Sequence, residues 1–87
     1  MESYIDWRKM LIVDSKTKLP LKNVSLFLTK EELKMLQGYI KFLIEKPPCE
    51  HVHFNDYDYI YEIMIASYSE EGPNTFTDEI NAMLAKN

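Results

Sequence analysis

The sequence predicts an α+β fold, a two-layer sandwich of order β-β-α-β-α. Three observations point to it. A helical apolar repeat runs between capped ends at 30–46; β-branched and aromatic residues alternate at 4–14, 24–28 and 59–68; and a second, shorter amphipathic segment starts near residue 75. Eighty-seven residues make a single domain, 1–87, and hydrophobic types at 46% are enough for a core and too many for a disordered tail.

The first strand is expected at 4–14, "YIDWRKMLIVD". Ile5, Trp7, Leu11 and Val13 share one side, and the second half is apolar on both, as in a strand with neighbours on each edge. The connection "SKTKLPLKN" leads into "VSLFLT", with Val24, Leu26 and Leu28 on one side, a second strand joined to the first by a hairpin. "TKEE" then opens a helix: Thr29 at the N-cap and Glu32 three residues on can satisfy each other's backbone donors. The helix runs to about Lys46, where Pro47 and Pro48 end it. Its stripe of Leu33, Leu36, Ile40, Leu43 and Ile44 should face the sheet.

"YIYEIMIASY" at 59–68 reads as the third strand, with Tyr59, Tyr61, Ile63 and Ile65 on one side. After the turn "SEEGPN", Thr75 or Thr77 caps a closing helix with Phe76, Ile80, Met83 and Leu84 as its apolar face. A right-handed crossover through the first helix returns the third strand parallel to the second, with the first between them. The expected sheet is three-stranded, of order 2-1-3, with both helices on one face.

Net charge is −4, which argues against sequence-independent binding to phosphate backbones. The charge is divided unevenly: 1–46 sum to about +3 and 47–87 to about −7, so the second half offers an acidic surface to a basic partner or to the first half. The longest apolar runs are about four residues, far below the ~18 needed to cross a bilayer. A single cysteine forms no internal disulfide and no secretory pattern opens the chain, so the expected location is cytoplasmic.

One segment looks chemical. In "PPCEHVHFNDYDY", Cys49, His51 and His53 are spaced two apart, so an extended chain would project all three the same way, and Asp56 or Asp58 could complete a tetrahedral zinc site. The competing reading puts both histidines on or beside a strand edge, bonded to backbone or to a carboxylate. A catalytic cysteine is not expected. Residues two apart along a strand are separated by about 6.6 Å, too far for a thiol to reach an imidazole, and nothing suggests an oxyanion hole. The acid pairs Asp56/Asp58, Glu70/Glu71 and Asp78/Glu79 fall in turns or at a helix start, where acids cap and solvate. With only two glycines, no phosphate-cradling loop is possible. The expectation is therefore no enzyme, no catalytic residue and no cofactor, with zinc at Cys49, His51 and His53 as the alternative.

The back of the first helix gives the expected partner surface. Met35, Gly38 and Phe42 lie about half a turn from the centre of its stripe, and a mid-helix glycine costs ~1 kcal/mol unless another element approaches closely. Tyr59 and Tyr61 fill one sheet face, their hydroxyls reaching water or a second chain. Repulsion from Asp56, Asp58 and Glu62 argues against these tyrosines stacking on nucleic acid. "VSLFLTKEELKML", followed by "HVHFNDYDYIYEI" and "FTDEINAML", resembles small uncharacterised bacterial α+β proteins. The resemblance implies a bacterial origin, with inhibitor or immunity function among the roles such chains take, and assigns no site or cofactor. The reading is a non-enzymatic protein-binding module that self-associates, with no nucleic-acid or membrane partner.

Overall fold

A computed structural model describes residues 10–86 of the chain, which forms two compact units: Leu26–Asn74, and the flanks up to Ser25 and from Thr75 onward. Four elements follow in order: α1 (Lys30–Glu45), β1 (His51–Asn55), β2 (Glu62–Ala66) and α2 (Asp78–Lys86).

In the Leu26–Asn74 unit, α1 begins as its sequence dictates. Thr29 Oγ1 accepts from the Glu32 amide at 3.1 Å, and a Glu32 carboxylate oxygen accepts from the Thr29 amide at 2.8 Å, so two backbone donors that the first turn would orphan are satisfied. At the other end Lys46 turns to extended geometry as the C-cap, and its amide still reaches the Leu43 carbonyl at 3.3 Å. Pro47 and Pro48 prevent a further turn.

The sheet differs from expectation. Among the described residues it is two-stranded: β1 and β2 pair antiparallel, with His53 opposite Met64 and Phe54 opposite Ile63. The three-stranded arrangement of order 2-1-3 is thus replaced by a hairpin, one of whose strands is "HVHFN". Residues 4–9 of the expected first strand lie outside the described residues. Its remainder makes one isolated bridge, Val13 to Pro20, closed by Leu21 N donating to Ile12 O at 2.8 Å. Pro20 has no amide hydrogen to continue a ladder, and 23–29, which include the expected second strand, join none. The third strand shortens to Glu62–Ala66. Tyr59 and Tyr61 therefore leave the sheet face for the connecting loop, 80% and 73% exposed.

The core of this unit lies between α1 and one face of the hairpin. Phe54 and Leu43 are buried, and the ring of Phe54 meets the edge of Tyr39 at 5.9 Å between centroids. Val52, Ile63 and Ile65 share that face by strand alternation and are half-buried. Burying Phe54 and Leu43 contributes roughly 1.5–3 kcal/mol each.

The helix shows its core a different face from the one its hydrophobicity marks. Leu36, Tyr39 and Leu43 turn inward, whereas Leu33, Ile40 and Ile44 stay exposed. The packed face is thus rotated by about 60° from the centre of the expected stripe. Tyr39 is the reason: its ring offers an edge-on partner to Phe54 while its hydroxyl can remain wet, a combination that hydrophobic periodicity does not count.

In the other unit, Asp14 organises the turn before Pro20. Its Oδ1 accepts from the amides of Lys16 and Thr17 at 2.9 and 2.8 Å. α2 is capped by Thr77, whose Oγ1 accepts from the Ile80 amide at 3.3 Å and whose carbonyl accepts from Asn81 N at 2.9 Å, which settles the choice between Thr75 and Thr77. No helix among the described residues is long and apolar enough to cross a membrane.

Candidate functional site

The chemical segment splits at its first residue. Cys49 has φ +77°, in the left-handed region, and so does not continue the extended run that would align it with the histidines. Cys49 N donates to Ser67 O at 2.9 Å while Ser67 N donates to Glu50 O at 3.2 Å, so Cys49 and Glu50 together oppose Ser67. This is a bulge whose first residue takes the left-handed conformation, and it bends the chain just before β1. The thiol donates to Asn74 Oδ1 at 3.3 Å, and that oxygen also accepts from Ser69 N at 2.8 Å. Asn74 Nδ2 returns a bond to Ser69 O at 3.0 Å, so Cys49 belongs to a polar clasp that holds the segment after β2. The sequence reading missed Asn74, because a bond spanning 25 residues leaves no local signal.

His51 and His53 stand on the outward face of β1, opposite to Val52 and Phe54. Their rings meet edge to face at 5.2 Å between centroids and 87° between planes. His53 Nδ1 lies 2.7 Å from Glu62 Oε2, with both side chains about half exposed. Since a carboxylate only accepts, Nδ1 is the donor in this pair. Glu62 neighbours His53 diagonally across the hairpin, because its direct register partner is Asn55. It too escaped the sequence reading, since the register that places it depends on where the loop closes.

That closure rests on Asp56. Its Oδ1 accepts from Ile60 N at 2.7 Å and Tyr61 N at 2.9 Å, its amide donates to Tyr61 O at 3.1 Å, and its carbonyl accepts from Tyr59 N at 3.0 Å. The Asp56 carboxylate thus builds the loop. The loop in turn displays Tyr57, Tyr59, Ile60 and Tyr61, all at least 70% exposed, with Tyr59 held at φ +58°. Among the described residues, no group of three or more His, Cys, Asp or Glu gathers closely enough to hold a metal ion.

The expected partner residues of α1 sit on a flank of the packed face. Met35 is 51% exposed and Phe42 42%, Lys46 Nζ lies 5.2 Å over the Phe42 ring, and a Cβ added at Gly38 would meet no atom within 4 Å. Open space at Gly38 means that nothing within the described chain explains its missing side chain. The larger apolar surface is on the opposite flank. Leu26 and Phe27, which precede the helix, and Leu33 and Leu36 on it border a shallow groove that continues along Ile40, with Lys30 and Lys34 at its rim. Phe27 is 93% exposed. Sequence reasoning assigned this flank to the core, since periodicity marks an apolar stripe without saying what covers it.

Comparison with protein-family models, curated proteins and solved structures returns no match to this chain.

Proposed function

We propose that the protein is a non-enzymatic protein-binding module that associates with itself, one copy's hairpin loop seating on the α1 flank of another. The observation that carries the reading is the exposed apolar run Leu26, Phe27, Leu33, Ile40 and Ile44 beside the helix. A shielded patch of several hundred Å² contributes on the order of 5–10 kcal/mol before the costs of association are subtracted.

Charge selects the occupant. Lys30, Lys34 and Lys41 lie along or near this flank, and two such flanks face to face would set lysine against lysine. The 56–61 loop is complementary: Tyr57, Tyr59, Ile60 and Tyr61 supply aromatic and apolar surface, and Asp58 supplies charge within the acidic half of the chain. Two reciprocal contacts of loop on flank close a symmetric dimer. Inhibitor or immunity function is the form of this reading in which the same flank meets another protein. The proposed setting is the cytoplasm, where the Cys49 thiol stays reduced.

Sedimentation velocity at about 100 μM tests it, with low and high salt compared because the rim is charged. A wild-type dimer that weakens with salt, and monomers for Ile40→Glu and Tyr59→Ser, is the expected outcome. A monomeric wild type, or variants that dimerise as the wild type does, overturns self-association.

A further inference from the structure

We infer that His51 and His53 form a two-histidine chelate for a divalent transition-metal ion of the zinc, nickel and copper group, with Glu62 as the positioning residue for His53. The ligand set excludes Cys49, whose thiol turns to Asn74. It uses instead the alternation of β1, which brings residues two apart to one face.

The two rings are neighbours, edge to face with their centres 5.2 Å apart. An ion held about 2.0–2.1 Å from one nitrogen of each imidazole would replace that ring contact. Both rings are on the exposed side of the hairpin, so His51 can turn a nitrogen toward His53 without repacking the core, while His53 keeps its bond to Glu62.

Glu62 supplies the second, independent observation. A ligating histidine commonly donates its other ring N–H to a carboxylate, which fixes the tautomer and makes the ligating nitrogen more basic. His53 makes that bond through Nδ1 at 2.7 Å, and in the tautomer with the proton on Nδ1 the other nitrogen, Nε2, carries the lone pair that a metal requires. Glu62 is anchored on β2, and the Asp56 loop sets the hairpin register, so the carboxylate is placed by the ladder and not by chance of a flexible chain. With two protein ligands the remaining positions go to water. The ion's preference should follow nitrogen affinity, copper above nickel and nickel above zinc or close to it. Acid weakens binding because each ligand must be neutral.

The test is calorimetric titration of the tag-free full chain with Ni²⁺ and with Zn²⁺ salts, together with long-range ¹H–¹⁵N spectra of the histidine rings. The expected result is one ion per chain, affinity at least about tenfold lower in His51→Ala and in His53→Ala, a smaller loss in Glu62→Gln, and no change in Cys49→Ser. In the spectra, His53 Nε2 shifts on metal addition while Nδ1 keeps its proton, a signature that a merely structural Glu62 would not produce. Far-UV circular dichroism verifies that the exposed substitutions leave the fold intact. Absence of binding at millimolar Ni²⁺, unchanged affinity in both histidine variants, or loss of affinity in Cys49→Ser overturns the inference. These readouts are separate from oligomeric state, so the chelate and the dimer stand or fall independently.

Discussion

Replacing Phe54 by alanine tests the core directly. The ring is 3% exposed, packs edge to face with Tyr39 and, with Leu43, makes up the buried core among the described residues of the Leu26–Asn74 unit. Burial of the ring contributes roughly 1.5–3 kcal/mol, and the cavity left by its removal adds to the loss, so the substitution costs about 3–5 kcal/mol, as is usual for Phe→Ala in a core. A unit of roughly fifty residues has a total stability of only about 2.5–7 kcal/mol at 0.05–0.15 kcal/mol per residue. Phe54→Ala should therefore leave the hairpin largely unfolded at room temperature. Met64→Ala, on the opposite face of the same sheet and 47% exposed, should cost less than about 1 kcal/mol. Phe54→Leu keeps most of the apolar volume and should fall between them. Urea melts followed by far-UV circular dichroism, with amide exchange on the β1–β2 ladder, give the comparison. If Phe54→Ala is no more destabilising than Met64→Ala, the assignment of inner and outer faces is wrong, and with it the outward placement of His51 and His53.

Asp56→Ala removes the acceptor of two loop amides and should lower the stability of the hairpin by about 1–3 kcal/mol in the same melts, while Asp56→Asn, which keeps one acceptor, loses less. Ser67 has a buried hydroxyl with no partner among the described residues, so Ser67→Ala should raise the melting midpoint by the equivalent of up to about 1 kcal/mol; a drop refutes the view that the oxygen is unsatisfied. The amide hydrogen bonds from Thr17 and then Lys16 hold the Asp14 carboxyl below its ordinary range. Because the folded pKa is depressed, the turn's stabilisation is complete above the unfolded Asp value of about 3.9 and is lost as pH falls through the lower folded value. Thr17 and Lys16 amide shifts should titrate with a midpoint below that of a free aspartate, and one at or above it refutes the turn.

The limits of sequence reading are clearest on α1. Thr29, Glu32, Pro47 and Pro48 act on their own neighbours, so the helix and its ends were legible without knowledge of the rest of the chain. Its buried face was not. Leu33, Ile40 and Ile44 outrank Tyr39 in hydrophobicity, yet Tyr39 meets Phe54 because ring geometry and the position of β1 decide the contact. The "HVHFN" strand does alternate, and Val52 and Phe54 are its inward residues. Three metal-ligating residues spaced two apart, Cys49, His51 and His53, are however the more conspicuous pattern of that segment.

Residues within a few positions of one another specify the two capped helices, an alternating strand expected at 59–68 and found at 62–66, and an acidic second half. Packing between distant segments fixed the rest: the strand pairs with 51–55 in a hairpin, and a residue in the left-handed region parts Cys49 from the histidines. It also places Glu62 against His53 and leaves Leu33, Ile40 and Ile44 exposed on α1. The physical reason is that strand register and helix rotation depend on which distant surfaces are available to cover them, and that availability has no local signature.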